Sequence, residues 1–232
     1  VSDIITGLYS SIAILSALRF RDMTGKGQQL DISLMDSQVS WLSYMAQNYL
    51  VSGDIPKRIG NDHPSIVPYQ TVEAKDGLMV LAIANDRQFK DFCTFANIPE
   101  VSNRREFKTN SSRVKNRIKL NKIIKKTIKT KTIKQWVNGL IKVNVPCGPI
   151  NNIKQVFDDK QIKSRKMIIS MKHPKSPTKK IKLVGNPMNF SFSKVKYKKS
   201  PPTLGEDTSN VLKDFLKLKD KDLRKLKRNK II

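Results

Sequence analysis

Histidine and cysteine are scarce in this sequence, with two of each among 232 residues. His63 and His173 have no ligand partner at useful spacing, so no metal site is expected. Cys93 and Cys147 could pair, but two cysteines make no disulfide framework, and nothing points to secretion. Cys93 shares its segment with Phe89, Phe92 and Phe95, which favours a buried thiol over a nucleophile. Cys147 sits in a P-C-G-P turn with no histidine nearby. The chain does not open on the basic, apolar and small-residue order of a signal peptide. Its one long apolar stretch, residues 4–18, is shorter than the roughly 20 residues that span a bilayer. Thr6, Ser10, Ser11 and Ser16 interrupt it, so a buried helix and a cytoplasmic protein without membrane partners are expected. An initiator methionine is lacking too, and Val1 is expected to be an internal residue of a longer protein.

Acidic residues are lacking in one part only. The formal charge of +26 divides into −3 for residues 1–100 and +29 for residues 101–232. The excess is mostly lysine, 34 against 11 arginines. Arginine forks carry most base and phosphate recognition, whereas lysine is a point charge on a flexible stem. In I-K-L-N-K-I-I-K-K-T-I-K the lysines interleave with isoleucine and asparagine. That pattern fits a solvated surface better than a nucleic-acid face, so no nucleic-acid partner is expected.

At 38% hydrophobic residues the chain reads as a globular α/β protein. Residues 4–21 form a helix that is apolar almost all round, with Ser2 or Asp3 as N-cap. T-G-K-G-Q is a glycine-punctuated turn. It lacks the full phosphate-loop pattern and precedes a strand, since Leu30-Asp31-Ile32-Ser33-Leu34 alternates at period two. A helix capped by Asp36 or Ser37 runs to about Ser52, and Gly53 follows it as C′ residue. Residues 53–68, rich in Gly, Pro, Asn and Asp, read as a loop and domain boundary. Lys75-Asp76-Gly77 joins two strands as a hairpin turn. Asn85-Asp86 caps a helix, and a helix from Ser112 carries Val114, Ile118, Leu120, Ile124 and Ile128 on one face. Further helices are expected at residues 132–143, 151–159 and from about 210, and a strand at 181–184.

Among the acidic residues, Asp36, Asp76 and Asp86 have cap or turn duties, and Asp31 alternates outward on its strand. Asp3 has two readings. It can simply cap its helix, and local physics favours that. Yet a helix N-terminus also favours an anion, and its free backbone N–H groups can steady negative charge developing on a substrate oxygen.

The stretches S-D-I-I-T-G-L-Y-S-S-I-A-I-L-S-A-L and T-G-K-G-Q-Q-L-D-I-S-L-M-D resemble the family III CoA-transferases. P-K-R-I-G-N-D-H-P-S-I-V-P-Y-Q is similar to the branch of glutarate and dicarboxylate CoA-transferases, and V-P-C-G-P-I-N and P-P-T-L-G-E-D-T-S-N-V-L also fit. Asp207 departs from the pattern, standing where relatives often carry histidine. The resemblance implies an α/β fold made of the end of a Rossmann-like large domain (1–60), a small α+β domain (61–175) and a linker returning to the large domain (176–232). It implies interlocked homodimers, coenzyme A thioesters and carboxylic acids as substrates, and no tightly bound cofactor.

In that family the aspartate of a D-x-x-[TS]-G setting is catalytic, and Asp3 with Thr6 and Gly7 matches it. The implied chemistry starts with attack of the Asp3 carboxylate on an acyl-CoA thioester, giving a mixed anhydride. Coenzyme A thiolate then attacks the aspartyl carbonyl to give an aspartyl-CoA thioester. An incoming carboxylate takes its place and leaves as a new acyl-CoA. Succinyl-CoA with a dicarboxylic acid is the expected pair. Gly60-Asn61-Asp62-His63-Pro64 falls where some members place a glycine-rich loop over the site, but it has a single glycine. Gly60, Asn61 and His63 are the implied substrate-binding residues. Most contacts to coenzyme A would come from the part preceding Asp3, so this chain alone is expected to be inactive. Two other readings stay open: a 2-methylacyl-CoA racemase of the same superfamily, and a non-enzymatic basic nucleic-acid-binding module.

Overall fold

The computed structural model describes all 232 residues. The chain opens with α1 (Ser2–Thr24), α2 (Leu34–Ser40) and α3 (Ser43–Ser52). Next come β1 (Tyr69–Ala74), β2 (Gly77–Ala82), α4 (Asp86–Phe95), α5 (Pro99–Asn103), α6 (Asn110–Lys115), α7 (Arg117–Ile128) and α8 (Ile133–Lys142). The remainder holds β3 (Cys147–Pro149), α9 (Ile153–Asp158), α10 (Lys160–Ser164), β4 (Ile168–Lys172), β5 (Lys180–Val184), α11 (Thr208–Leu216) and α12 (Asp220–Arg228). One sheet has the order β1-β2-β3. The other pairs β4 with β5 antiparallel, Ile168 opposite Val184 and Lys172 opposite Lys180. This is the mixed α/β class that the sequence predicts.

The chain divides into two compact units. One comprises Val1–Val72, Leu81–Ile128 and Leu140–Pro146; the other comprises Glu73–Val80, Lys129–Gly139 and Cys147–Ile232. In the first unit, apolar side chains of α4 and α7 supply much of the core: Phe89, Phe92, Cys93, Leu120, Ile124 and Ile128 are all buried. In the second, Trp136 is fully buried. There the Asp76 carboxylate accepts the backbone N–H of Ile133 at 2.7 Å, so the β1–β2 turn also caps α8.

The predicted cap at Asn85 and terminator at Gly53 are in place, and α9 adds a cap of its own. Asn85 caps α4, its Oδ1 accepting the Gln88 N–H at 2.9 Å. Gly53 ends α3 in the left-handed region at φ 75°. Asn152 and Gln155 form a reciprocal capping box at the start of α9.

Six expectations are corrected. The first helix is apolar but not buried: Ile5 is its only buried residue, while Ile4 and Leu15 are 71% and 66% exposed. An apolar surface is buried only if another layer covers it, and within this chain α2 is the element that packs on α1. At 23 residues α1 is also longer than the sequence predicts; by length and composition it could cross a membrane, a test that a core helix of a soluble protein also meets. Its N-cap is Val1, without a side-chain hydrogen bond, so Asp3 lies inside the first turn and caps nothing. The expected strand at 30–34 has no ladder partner, and Ser33 instead caps α2 by accepting the Asp36 N–H at 2.9 Å. The helix expected from 36 to 52 is broken at Trp41-Leu42, with Ser43 at φ 50°. Finally, the helix from Ser112 is interrupted at Asn116, which turns Ile118 out to 77% exposure.

Arg113 is the most buried charge, its side chain fully enclosed. Its Nε donates to the Val67 carbonyl at 2.7 Å and its Nη1 to the Phe107 carbonyl at 3.1 Å. Nη2 lies 2.9 Å from an Asp86 carboxylate oxygen, and the guanidinium carbon sits 4.5 Å from the centre of the Phe89 ring. Burial lowers the Arg113 pKa and the Asp86 carboxylate opposes that shift. Truncation would leave a hole and two orphaned carbonyls. Arg113→Ala is therefore expected to lower the unfolding free energy by about 3–5 kcal/mol. Ile118→Ala should stay within about 0.5 kcal/mol, and urea titration of both variants compares them.

Burial pushes the Cys93 thiol up to about 12 and raises Cys147 as well. A native thiol-labelling experiment at mild pH should modify the half-buried Cys147 before the fully buried Cys93, which reacts only on unfolding. Above the ordinary thiol pKa of about 8.5 the unfolded chain ionises while native Cys93 does not. The stability that Cys93 contributes is thus full below that pH and lost as pH rises toward 12. Cys93→Ala should flatten the fall of unfolding free energy between about pH 9 and 11.

Candidate functional site

Asp3 stands exposed in the first turn of α1. Three features hold that turn. Ile5 is buried at 3% exposure, with its N–H donating to the Val1 carbonyl at 3.1 Å. The Thr6 hydroxyl donates to the Ser2 carbonyl at 2.8 Å. The Ser2 hydroxyl donates to the Gln38 side chain of α2. Two turns further along, the Ser40 hydroxyl of α2 donates to the Tyr9 hydroxyl at 3.1 Å. The Asp3 carboxylate is therefore carried on a helix end fastened to a second helix.

The second candidate element is the loop before β1. Gly60 turns the chain at φ 66°, where a side chain would be strained. Asn61 is exposed, and His63 is half-buried. The His63 ring stacks on Tyr44 at 5.3 Å and on Tyr69 at 5.4 Å, with interplanar angles of 23° and 12°. Its backbone N–H donates to the Tyr69 carbonyl at 2.9 Å. Its Nδ1 accepts the Ser65 N–H at 3.2 Å.

Four side chains of α6 and α7 clamp this loop, and they recur every three or four residues. Asn110 accepts the Val67 N–H at 3.1 Å and donates to the Ser65 carbonyl at 2.8 Å. Arg113 holds the Val67 carbonyl. Arg117 donates through Nη2 to the carbonyls of His63 and Pro64, at 2.8 and 2.6 Å. Its Nη1 lies 3.6 Å from the Asp62 carboxylate. Asn121 donates to Asp62 at 3.4 Å and exchanges two amide hydrogen bonds with Gln70, at 2.9 and 3.1 Å. None of these four is among the residues that the sequence reading singles out. The available signal is their spacing, N-x-x-R-x-x-x-R-x-x-x-N, which on an unbroken helix would place four hydrogen-bonding side chains on one face.

Of the predicted site residues, Gly60, Asn61 and His63 thus share one clamped loop. No hydrogen bond or ion pair joins Asp3 to any of them. A cavity of about 410 Å³ opens between α1 and α2, lined by Tyr9, Ile12, Asp31, Asp36 and Ser40 among others. Asp31, expected on the outer face of a strand, faces this cavity instead because its segment is not in a sheet.

Comparison with known proteins matches residues 1–208 to CoA-transferase family III. The chain is 37% identical to the succinyl-CoA:glutarate CoA-transferase of Homo sapiens over 226 residues, 97% of this chain and 51% of that protein. It is 35% identical to the succinate–glutarate CoA-transferase of Agrobacterium fabrum, over 93% of this chain and 53% of the relative. Among solved structures, a CAIB/BAIF family protein from Brucella suis matches with TM-score 0.74 and 40% identity, over 92% of this chain and 55% of that one. The orthorhombic form of Rv3272 from Mycobacterium tuberculosis shares the fold at TM-score 0.75 with 18% identity, over 88% and 53% of the two chains. The chain spans about half the length of the curated relatives it matches. With residues 1–208 matching the family and 37% identity to a curated member over 97% of its length, the chain belongs to CoA-transferase family III.

Proposed function

We propose that this chain carries the nucleophilic carboxylate of an enzyme that moves coenzyme A from an acyl-CoA, such as succinyl-CoA, to a carboxylic or dicarboxylic acid. The observation that carries this reading is Asp3 itself. It is an exposed carboxylate in the first turn of a fastened helix, in the D-x-x-T-G setting, in a chain 37% identical to a succinyl-CoA:glutarate CoA-transferase.

The chemistry follows from what a carboxylate can do to a thioester. An Asp3 oxygen adds to the thioester carbonyl, the C–S bond breaks, and a mixed anhydride and coenzyme A thiolate result. The thiolate adds to the aspartyl carbonyl and expels the donor acid as its carboxylate, leaving an aspartyl thioester. A second acid reverses these two steps: its carboxylate displaces the thiolate, and the thiolate then attacks the new acyl carbonyl and frees Asp3. No net proton or electron is consumed. A serine or threonine in place of Asp3 would stop at a stable ester, whereas an anhydride exchanges in both directions. The N–H groups of the first turn are suited to the oxyanions formed at each addition. Gly60, Asn61 and His63 line the pocket for the acid in this reading, and the working form is an interlocked homodimer, as the family resemblance implies.

The test uses the full-length product of the gene that carries this sequence, incubated with succinyl-CoA and glutarate. Mass spectrometry is expected to find a coenzyme A or hydroxylamine adduct on the peptide containing Asp3. Asp3→Ala should lose the adduct and lower exchange by more than about 10⁴-fold. Undiminished transfer in Asp3→Ala would remove Asp3 from the chemistry.

A further inference from the structure

His63 is fixed through both its ring and its backbone. Its ring plane is set by stacking on Tyr44 and Tyr69, at 5.3 and 5.4 Å. Its backbone is held on both sides, by the Tyr69 carbonyl on its N–H and by Arg117 on its carbonyl. The ring's rotation is set as well. Nδ1 accepts the Ser65 N–H at 3.2 Å, and a flipped ring would turn a C–H toward that donor. A nitrogen that accepts carries no proton, so in the neutral imidazole the hydrogen sits on Nε2. Nothing in the chain accepts a hydrogen bond from Nε2. The nearest carboxylate in sequence, Asp62, is engaged by Arg117 and Asn121. The result is one uncharged N–H donor of fixed direction, between two aromatic faces, without an internal partner.

We propose that the Nε2–H of His63 donates to a carboxylate oxygen of the acid that takes up coenzyme A, so that His63 positions this substrate and selects for it. The identity of the ligand rests on the coenzyme A-transfer reading above. The chemistry favours a neutral donor in this role. An incoming carboxylate must be oriented yet remain nucleophilic. A single N–H holds one oxygen and leaves the other free, whereas a guanidinium engages both oxygens and withdraws their charge. A dicarboxylic acid offers the same chemistry at either end, and the test below separates the two.

In the imidazole ¹⁵N spectrum of the full-length protein, the ring resonances that disappear in His63→Phe are those of His63. The free protein is expected to show the proton on Nε2, and titration with glutarate should move that resonance to saturation. Valerate, which replaces one carboxylate of glutarate by a methyl group, gives the same shift if the reacting carboxylate is held, and none if the distal one is. In steady-state exchange, His63→Phe keeps the stack but loses both nitrogens. It should raise KM for the acid by about 10- to 100-fold with KM for acyl-CoA unchanged. His63→Gln, whose amide nitrogen falls near Nε2, should return KM to within a few-fold, and His63→Asn should not. A proton found on Nδ1, no response to glutarate, or an unmoved acid KM in His63→Phe would overturn the proposal. Exchange that proceeds through Asp3 with an unmoved acid KM would leave the transfer reading standing without it. Saturable glutarate binding at His63 in a protein that exchanges no coenzyme A would reject the transfer reading and keep the donor.

Discussion

A guanidinium taken fully out of water is the constraint that orders the first unit. Removing such an ion from solvent costs several kcal/mol unless every donor is matched. Arg113 offsets much of that cost with two loop carbonyls that accept from Nε and Nη1, one carboxylate paired with Nη2 and one aromatic face, although Nη2 itself makes no hydrogen bond of good geometry. The partners come from three separate places: Val67 before the sheet, Phe107 before α6, and Asp86 with Phe89 at the start of α4. Satisfying the charge therefore fixes these segments around a single point. Arg117, one turn on, extends the arrangement to His63 and Pro64. The candidate loop takes its shape from α6 and α7 more than from its own residues.

Much of this could be read from the sequence wherever the physics is local. Asn85 as a cap, Gly53 as a terminator and Lys75-Asp76-Gly77 as a turn depend on a few neighbouring atoms, and each is in place. Asp3 could be singled out from its motif, although not its exposure. Features that depend on distant partners could not be read. The apolar pattern of α1 says that something should cover it, but not whether this chain supplies the cover. The alternation at 30–34 fits a strand only when a neighbouring strand is present.

The clamp escaped for a related reason. Polar residues recurring along one face of a helix ordinarily mark its solvent side. Asn110, Arg113, Arg117 and Asn121 lie in such a register, yet they face a loop. The usable clue was compositional. Residues 101–232 contain 30 lysines and 7 arginines, and two of those arginines hold backbone carbonyls of the loop. A planar fork with five donors can satisfy several acceptors at once, which lysine cannot. Among many lysines, an arginine is therefore the cation better suited to holding several backbone carbonyls.

The clamp also sets an order of events during synthesis. Loop residues 62–68 reach the ribosomal exit well before Asn110, Arg113 and Arg117, which lie 43 to 54 positions downstream of their loop partners. Until those residues emerge, the nascent loop has carbonyls and N–H groups that only water can satisfy. The first unit also lacks its last segment until Pro146 has been added. Contacts this far apart in sequence are slow to close. The histidine between its two tyrosines is thus encoded early and put in position late, once α6 and α7 have been made.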